Sequence, residues 1–235
     1  MKNLIRILLL LIVACCLLAA CGGKTLEATE GPEASEANES SGTVPSSLQT
    51  IEAAAEDIID LAPSGNWDKI GTDIGDISNA WKSYQPQASE EGTSQDLQNA
   101  MMAAIERLQT ASAAKDSAST MQGSNDVSAV VVEMFALYNP KVPVDIGRLD
   151  VLERQVILDV AAHDYNAAMA SFTQTKSVWE EVKPSVLEHN GKDVAADFEA
   201  SLTAQESELN AQDDAALTND AKDALEIVDA LERLY

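Results

Sequence analysis

The chain has 235 residues, and its 39 acidic side chains outnumber 15 basic ones, giving a formal charge of −24 and an isoelectric point near 4.1. This balance excludes nucleic acid as a partner, because binding a polyanion needs basic groups that displace its counterions. It also excludes a patch that docks on anionic lipid heads. Only ten residues are aromatic and much of the 46 % apolar content is alanine, which points to helices rather than strands.

At the N-terminus Lys2 and Arg6 flank an almost unbroken apolar stretch, Leu4 to Leu18. It has the length of a secretory h-region and falls short of the roughly 20 residues of a membrane span. Leu18-Ala19-Ala20-Cys21, followed by Gly22-Gly23, closes the stretch. This segment resembles the lipobox of bacterial lipoproteins. The resemblance implies cleavage just before Cys21, a diacylglyceryl group on its sulfur and often a third chain, such as palmitate, on its amine. Ile12-Val13-Ala14-Cys15 fits the box by residue type, but it leaves an apolar region of only about ten residues, so Cys21 is preferred.

Several expectations follow from that resemblance. Residues 1–20 are a signal peptide, and Cys15 and Cys16 leave with it, so no disulfide or thiolate site remains. Loss of Lys2 and Arg6 deepens the formal charge to −26. Multi-chain acylation anchors the protein stably in the cell membrane or outer membrane, facing outside the cytoplasm.

Residues 21–46 read as the lipidated cysteine and a flexible acidic linker. Glu27, Glu30, Glu33, Glu36 and Glu39 recur at every third position, and Leu26 and Val44 are its only large apolar side chains. Such a segment buries too little surface to offset its ordering entropy, and its like charges extend it.

The remainder predicts an all-α fold. Ser46 and Gln49 behind Pro45 suggest a capping box. Helices are expected over 47–61, 66–84, 94–114, 125–138, 145–162, 164–183, 192–211 and 214–234. Pro63-Ser64-Gly65, Pro86 with Gly92, Gly123-Ser124, Asn139-Pro140 with Pro143, Pro184 and Asn190-Gly191 supply the breaks.

Trp67, Ile70, Ile74, Ile77 and Trp81 form one helical stripe, extended by Tyr84. Tyr165, Ala168, Phe172, Thr175 and Trp179 follow at the same spacing 98 residues later, and Pro184 echoes Pro86. Beyond the next loop the lag becomes 97, so that Asp116 matches Asp213 and Leu137-Tyr138 matches Leu234-Tyr235. The body is therefore a tandem duplication of a roughly 95-residue four-helix unit. Repeat 1 covers 47–140 and repeat 2 covers 141–235, as two antiparallel up-and-down four-helix bundles or one fused eight-helix array, joined by short loops.

Candidate ligand-binding residues are Trp67, Trp81, Tyr165 and Trp179, which offer stacking or cation–π contact but lie on the core stripe. Gly71 and Gly75 flank that stripe, where a neighbouring helix could approach closely. His163 and His189 stand at helix ends, without partners at metal-ligand spacing. Glu153 falls within the apolar face of Leu149, Leu152, Val156 and Val160. A carboxylate there must be paired, protonated or metal-bound. Arg148 and Arg154 are its expected ion-pair partners, and Glu153 is the one metal-ligand candidate.

No catalytic residue set is recognised, and no cofactor is expected beyond the lipid on Cys21. The expected function is a non-enzymatic binding or interaction role in the cell envelope, with an envelope protein as partner. The alternative is a divalent or transition metal-binding component of metal uptake. By composition and address alone the body loosely resembles helical envelope proteins of metal uptake. No residue role carries over from them.

Overall fold

The computed structural model describes residues 43–235, so the expected signal peptide, Cys21 and most of the expected linker lie outside the described residues. The described chain is all-α. Helices α1 (Ser46–Leu61), α2 (Trp67–Ala88), α3 (Gln95–Ala113) and α4 (Ser117–Phe135) form the first repeat, with one 3-10 turn over Ala62–Ser64. Helices α5 (Val144–Ala161), α6 (Tyr165–Glu188), α7 (Lys192–Ala211) and α8 (Asp214–Glu232) form the second.

Local chemistry starts these helices at equivalent places. Asn66 caps α2 and Asp164 caps α6, each accepting from a backbone N–H three residues on. Asp116 and Asp213 do the same for α4 and α8. Such caps satisfy an orphan donor and contribute about 1 kcal/mol each. Pro45 and Pro143 precede α1 and α5, where their fixed φ suits helix entry. The turn residues correspond as well. Gly65 and His163, and likewise Lys115 and Gln212, are left-handed with φ between 54° and 67°.

Within each repeat the helices close a ring. α1 packs on α2 and α4, and α3 touches the same two; α5 packs on α6 and α8, and α7 completes that ring. α4 against α5 joins the repeats. One core gathers Leu48, Ile51, Ile58, Ile70, Ile77, Trp81 and Met101, the other Leu149, Val156, Phe172, Trp179, Phe198 and Leu231. Burying each such aliphatic side chain favours folding by about 1.5–3 kcal/mol.

Four local expectations change. Neither Pro86 nor Pro184 ends its helix: α2 continues to Ala88 and α6 to Glu188. Both prolines are exposed, so the carbonyl each deprives of a partner faces water, while buried Ala88 and Val186 hold the last turn down. There is no capping box at Ser46. Pro45 is the cap residue, and the Gln49 amide donates to the Val44 carbonyl at 2.9 Å. Gly71 and Gly75 have open space where a Cβ would stand, so no helix approaches there.

Gly123-Ser124 does not break the chain but lies inside α4 as a packing point. Ser124 donates its hydroxyl to the Ala55 carbonyl at 2.7 Å. A Cβ on Gly123 would stand 2.9 Å from Leu108 Cα and 3.1 Å from its nitrogen, so α3 and α4 meet backbone to backbone. Gly123→Val is expected to destabilise the fold by about 3 kcal/mol, because backbone cannot yield as a side-chain tip can. Urea unfolding measures it, with Gly75→Ala as a control expected to gain about 0.5–1 kcal/mol.

Candidate functional site

The aromatic candidates do not converge. Trp67 is half-buried beside the first core, and Trp81 lies within it with its ring 5.9 Å from Tyr84. Trp179 is fully buried in the second core, 4.8 Å from Phe198. The Tyr165 hydroxyl donates to Asp214. The three tryptophans sit in or against the cores, and Tyr165 is half-buried outside them. Trp179 borders a groove of about 290 Å³ between α6 and α7, lined also by Lys176, Glu180 and Glu199. A larger groove of about 680 Å³ lies between α3 and α4 and includes Ala111, Gly123 and the Arg107–Asp126 ion pair.

The histidines serve helix ends. His163 follows α5, with Nδ1 3.1 Å from Asp214. His189 ends α6 and packs its ring 4.3 Å from that of Tyr235. Met101 is core and Met102 is exposed. A tyrosine pair closes the first repeat: the Tyr84 hydroxyl lies 2.7 Å from that of Thr93 and 2.8 Å from that of Tyr138, which in turn donates to Glu91. Burial and then the Glu91 bond hold the Tyr138 proton far more tightly than usual.

The chemically distinctive groups flank α5 on two sides. On its inner face Glu153 has no solvent exposure, and neither carboxyl oxygen has a partner in hydrogen-bonding geometry. The expected arginine pairs do not form. Arg148 binds Glu133 at 2.7 Å and Asp145 at 2.5 Å, whereas Arg154 binds Glu56 and Asp150. Instead the Gln205 side chain of α7 reaches the Glu153 carboxyl across the bundle, and its own Oε1 is likewise buried without a donor. Burial pushes the Glu153 carboxyl up to about 8, with Gln205 acting the other way. Of the three unpartnered oxygens, protonation turns one of Glu153 into a donor that the Gln205 Oε1 can accept.

On the other side of α5, Arg154 Nη2 bridges Asp150 at 2.7 Å and Glu56 of α1 at 2.9 Å. Burial, followed by Glu56, Glu232 and Asp150, raises Glu52 to about 8. Asp150 rises to about 7, again chiefly by burial, against the pull of Arg154. Glu232 of α8 is raised for the same reason. Sequence patterning passed over this junction, although a signal was present. At the 98-residue lag Glu52 aligns with Asp150 and Glu56 with Arg154, so positions that correspond in the two repeats meet in space.

This arrangement can hold protons and join two bundles by charge. Among the described residues, no group of three or more His, Cys, Asp or Glu side chains is placed to hold a metal ion. No described helix is long and apolar enough to cross a membrane. Comparison of the chain with protein-family models, curated proteins and solved structures returns no match.

Proposed function

We propose that this chain is a lipid-anchored protein of the bacterial cell envelope whose helical body serves a non-enzymatic binding or interaction role outside the cytoplasm. The observation that carries the reading is the ordered series of a basic start, an apolar run, Leu18-Ala19-Ala20-Cys21 and an acidic, Gly/Ser/Pro-bearing linker before the folded repeats. The body supports it in composition. Its acids spread over many helix faces and keep an anchored protein soluble. The α3–α4 groove is its candidate contact face, with small side chains on its floor and the Arg107–Asp126 pair at its wall.

Expressed in bacteria with a labelled fatty acid, the full chain is expected to carry label in the membrane fraction, and Cys21→Ala to lose all of it. Label retained by the variant would overturn the anchor. Native mass spectrometry of the detergent-extracted chain then separates the roles. A stoichiometric protein partner supports the interaction reading, and a stoichiometric retained metal replaces it with metal handling.

A further inference from the structure

The two repeats differ most tellingly at one layer of their cores. In the first repeat Ala55 on α1, Ile77 on α2 and Leu108 on α3 are fully buried. Their counterparts in the second, at lags of 98, 98 and 97, are Glu153 on α5, Thr175 on α6 and Gln205 on α7, also fully buried. Where the first repeat has an apolar layer the second has a polar one, whose Glu153 and Gln205 are fully buried with unpartnered oxygens. A lone carboxyl in an apolar core costs several kcal/mol when charged. At the position matching Leu108, Gln205 donates its amide to Ser201 at 3.3 Å and keeps a buried Oε1 free to accept from a neutral acid, while its pull toward the charged form is outweighed by burial.

We propose that the Glu153–Gln205 pair makes the second repeat a pH-sensitive element: closed while Glu153 is a neutral acid donating to Gln205, and loosened when that proton leaves, with the first repeat unaffected. The groups around Glu153 leave the proton as the controlling variable. Asp150, on its own helix, is the carboxylate that acts on it, and its charge favours the neutral form. From α7 comes the neutral Gln205; α6 and α8 turn buried Thr175, Phe172, Ala224 and Val228 toward the core. From α4, Glu133 engages Arg148 and Asp126 engages Arg107. From α1, Glu56 is held by Arg154, with Glu52 beside it at the junction, and Glu232 adds its charge from α8. Arg154 is thus already committed to Asp150 and Glu56.

The sign follows from proton counting. The folded state holds a proton that the unfolded chain releases above its ordinary carboxyl range, so the contribution of Glu153 to stability is fully present below pH 4.5 and is lost as pH rises toward 8. Each pH unit in that window raises the opening equilibrium about tenfold.

Hydrogen exchange of the full chain between pH 5.5 and 8, corrected for intrinsic exchange rates, reads this directly. Protection of α5–α8 is expected to fall about tenfold per pH unit more steeply in the wild type than in Glu153→Gln. Protection of α1–α4 should show no such difference. Should Glu153→Gln fold poorly, Glu153→Ala/Gln205→Leu, which installs the residues of the first repeat, gives the same reading. An unchanged slope in either folded variant would overturn the proposal, as would an equal response in both repeats.

Discussion

Truncating Trp179 to alanine is expected to destabilise the protein by about 3–5 kcal/mol, the range for removing a fully buried indole. The side chain is 1 % exposed and stacks on Phe198, so deletion leaves a cavity walled by α6 and α7. Its buried Nε1 reaches toward Glu199 without good hydrogen-bonding geometry, so most of the loss is packing. This separates the two roles open to an aromatic on a core stripe. A residue that floors a ligand groove would lower affinity while leaving stability within about 1 kcal/mol. Urea unfolding followed by tryptophan fluorescence and far-UV circular dichroism decides between them, since Trp67 and Trp81 remain to report on the first repeat. A loss below 1 kcal/mol would return Trp179 to the status of a ligand residue.

Replacing Arg154 by methionine is expected to cost about 3 kcal/mol at pH 8.5, and roughly 1 kcal/mol at pH 5.5. The guanidinium is the cation that opposes the carboxyls of Glu52, Glu56 and Asp150 in the junction. Methionine keeps most of the stem's packing and removes only the charge. At pH 8.5 the variant has to bury Asp150 and Glu52 as uncompensated anions. At pH 5.5 both hold protons, because their folded values of about 7 and 8 lie above that pH. Each group is raised above its ordinary range, so it weakens the fold as pH climbs through that interval. Removing Arg154 raises both further and steepens the decline. The half-exposed Glu56 adds little, since water screens it. Urea midpoints at the two pH values test this. An equal loss at both would mean that Arg154 acts through packing alone.

How far the sequence revealed this fold depends on how local each cause is. Turn residues and repeat spacing can be seen along the chain, so the number of helices, the duplication and most helix ends were readable from Pro63-Ser64-Gly65, Asn190-Gly191 and the 98-residue lag, whereas the start of α4 at Ser117, capped by Asp116, was missed. The proline ends were misread because a helix tolerates proline where its deprived carbonyl faces water, and exposure is a tertiary property. Gly123 was taken for a breaker because glycine destabilises a helix interior; its use becomes visible only when Leu108 stands against it. Helical periodicity did find Glu153 in the apolar face. It missed the partner, because Gln205 lies across the bundle, 52 residues away. Arg148 and Arg154 were poor choices on geometry as well. At 100° per residue they project about 140° and 100° away from Glu153.

The meeting of Glu56 with Arg154 has a consequence for how such a chain could arise. In an isologous dimer a position close to the two-fold axis meets its own copy. In a dimer of identical four-helix chains, residue 56 would have faced itself, and any charge there would have faced its own sign. Opposite charges at that spot require two separately inherited codons. Joining the copies in one polypeptide therefore freed a self-facing position to become an ion pair, and the same freedom let Ala55 and Leu108 have Glu153 and Gln205 as their counterparts. Two repeats carried in one chain can thus differ at places where identical subunits would have to agree.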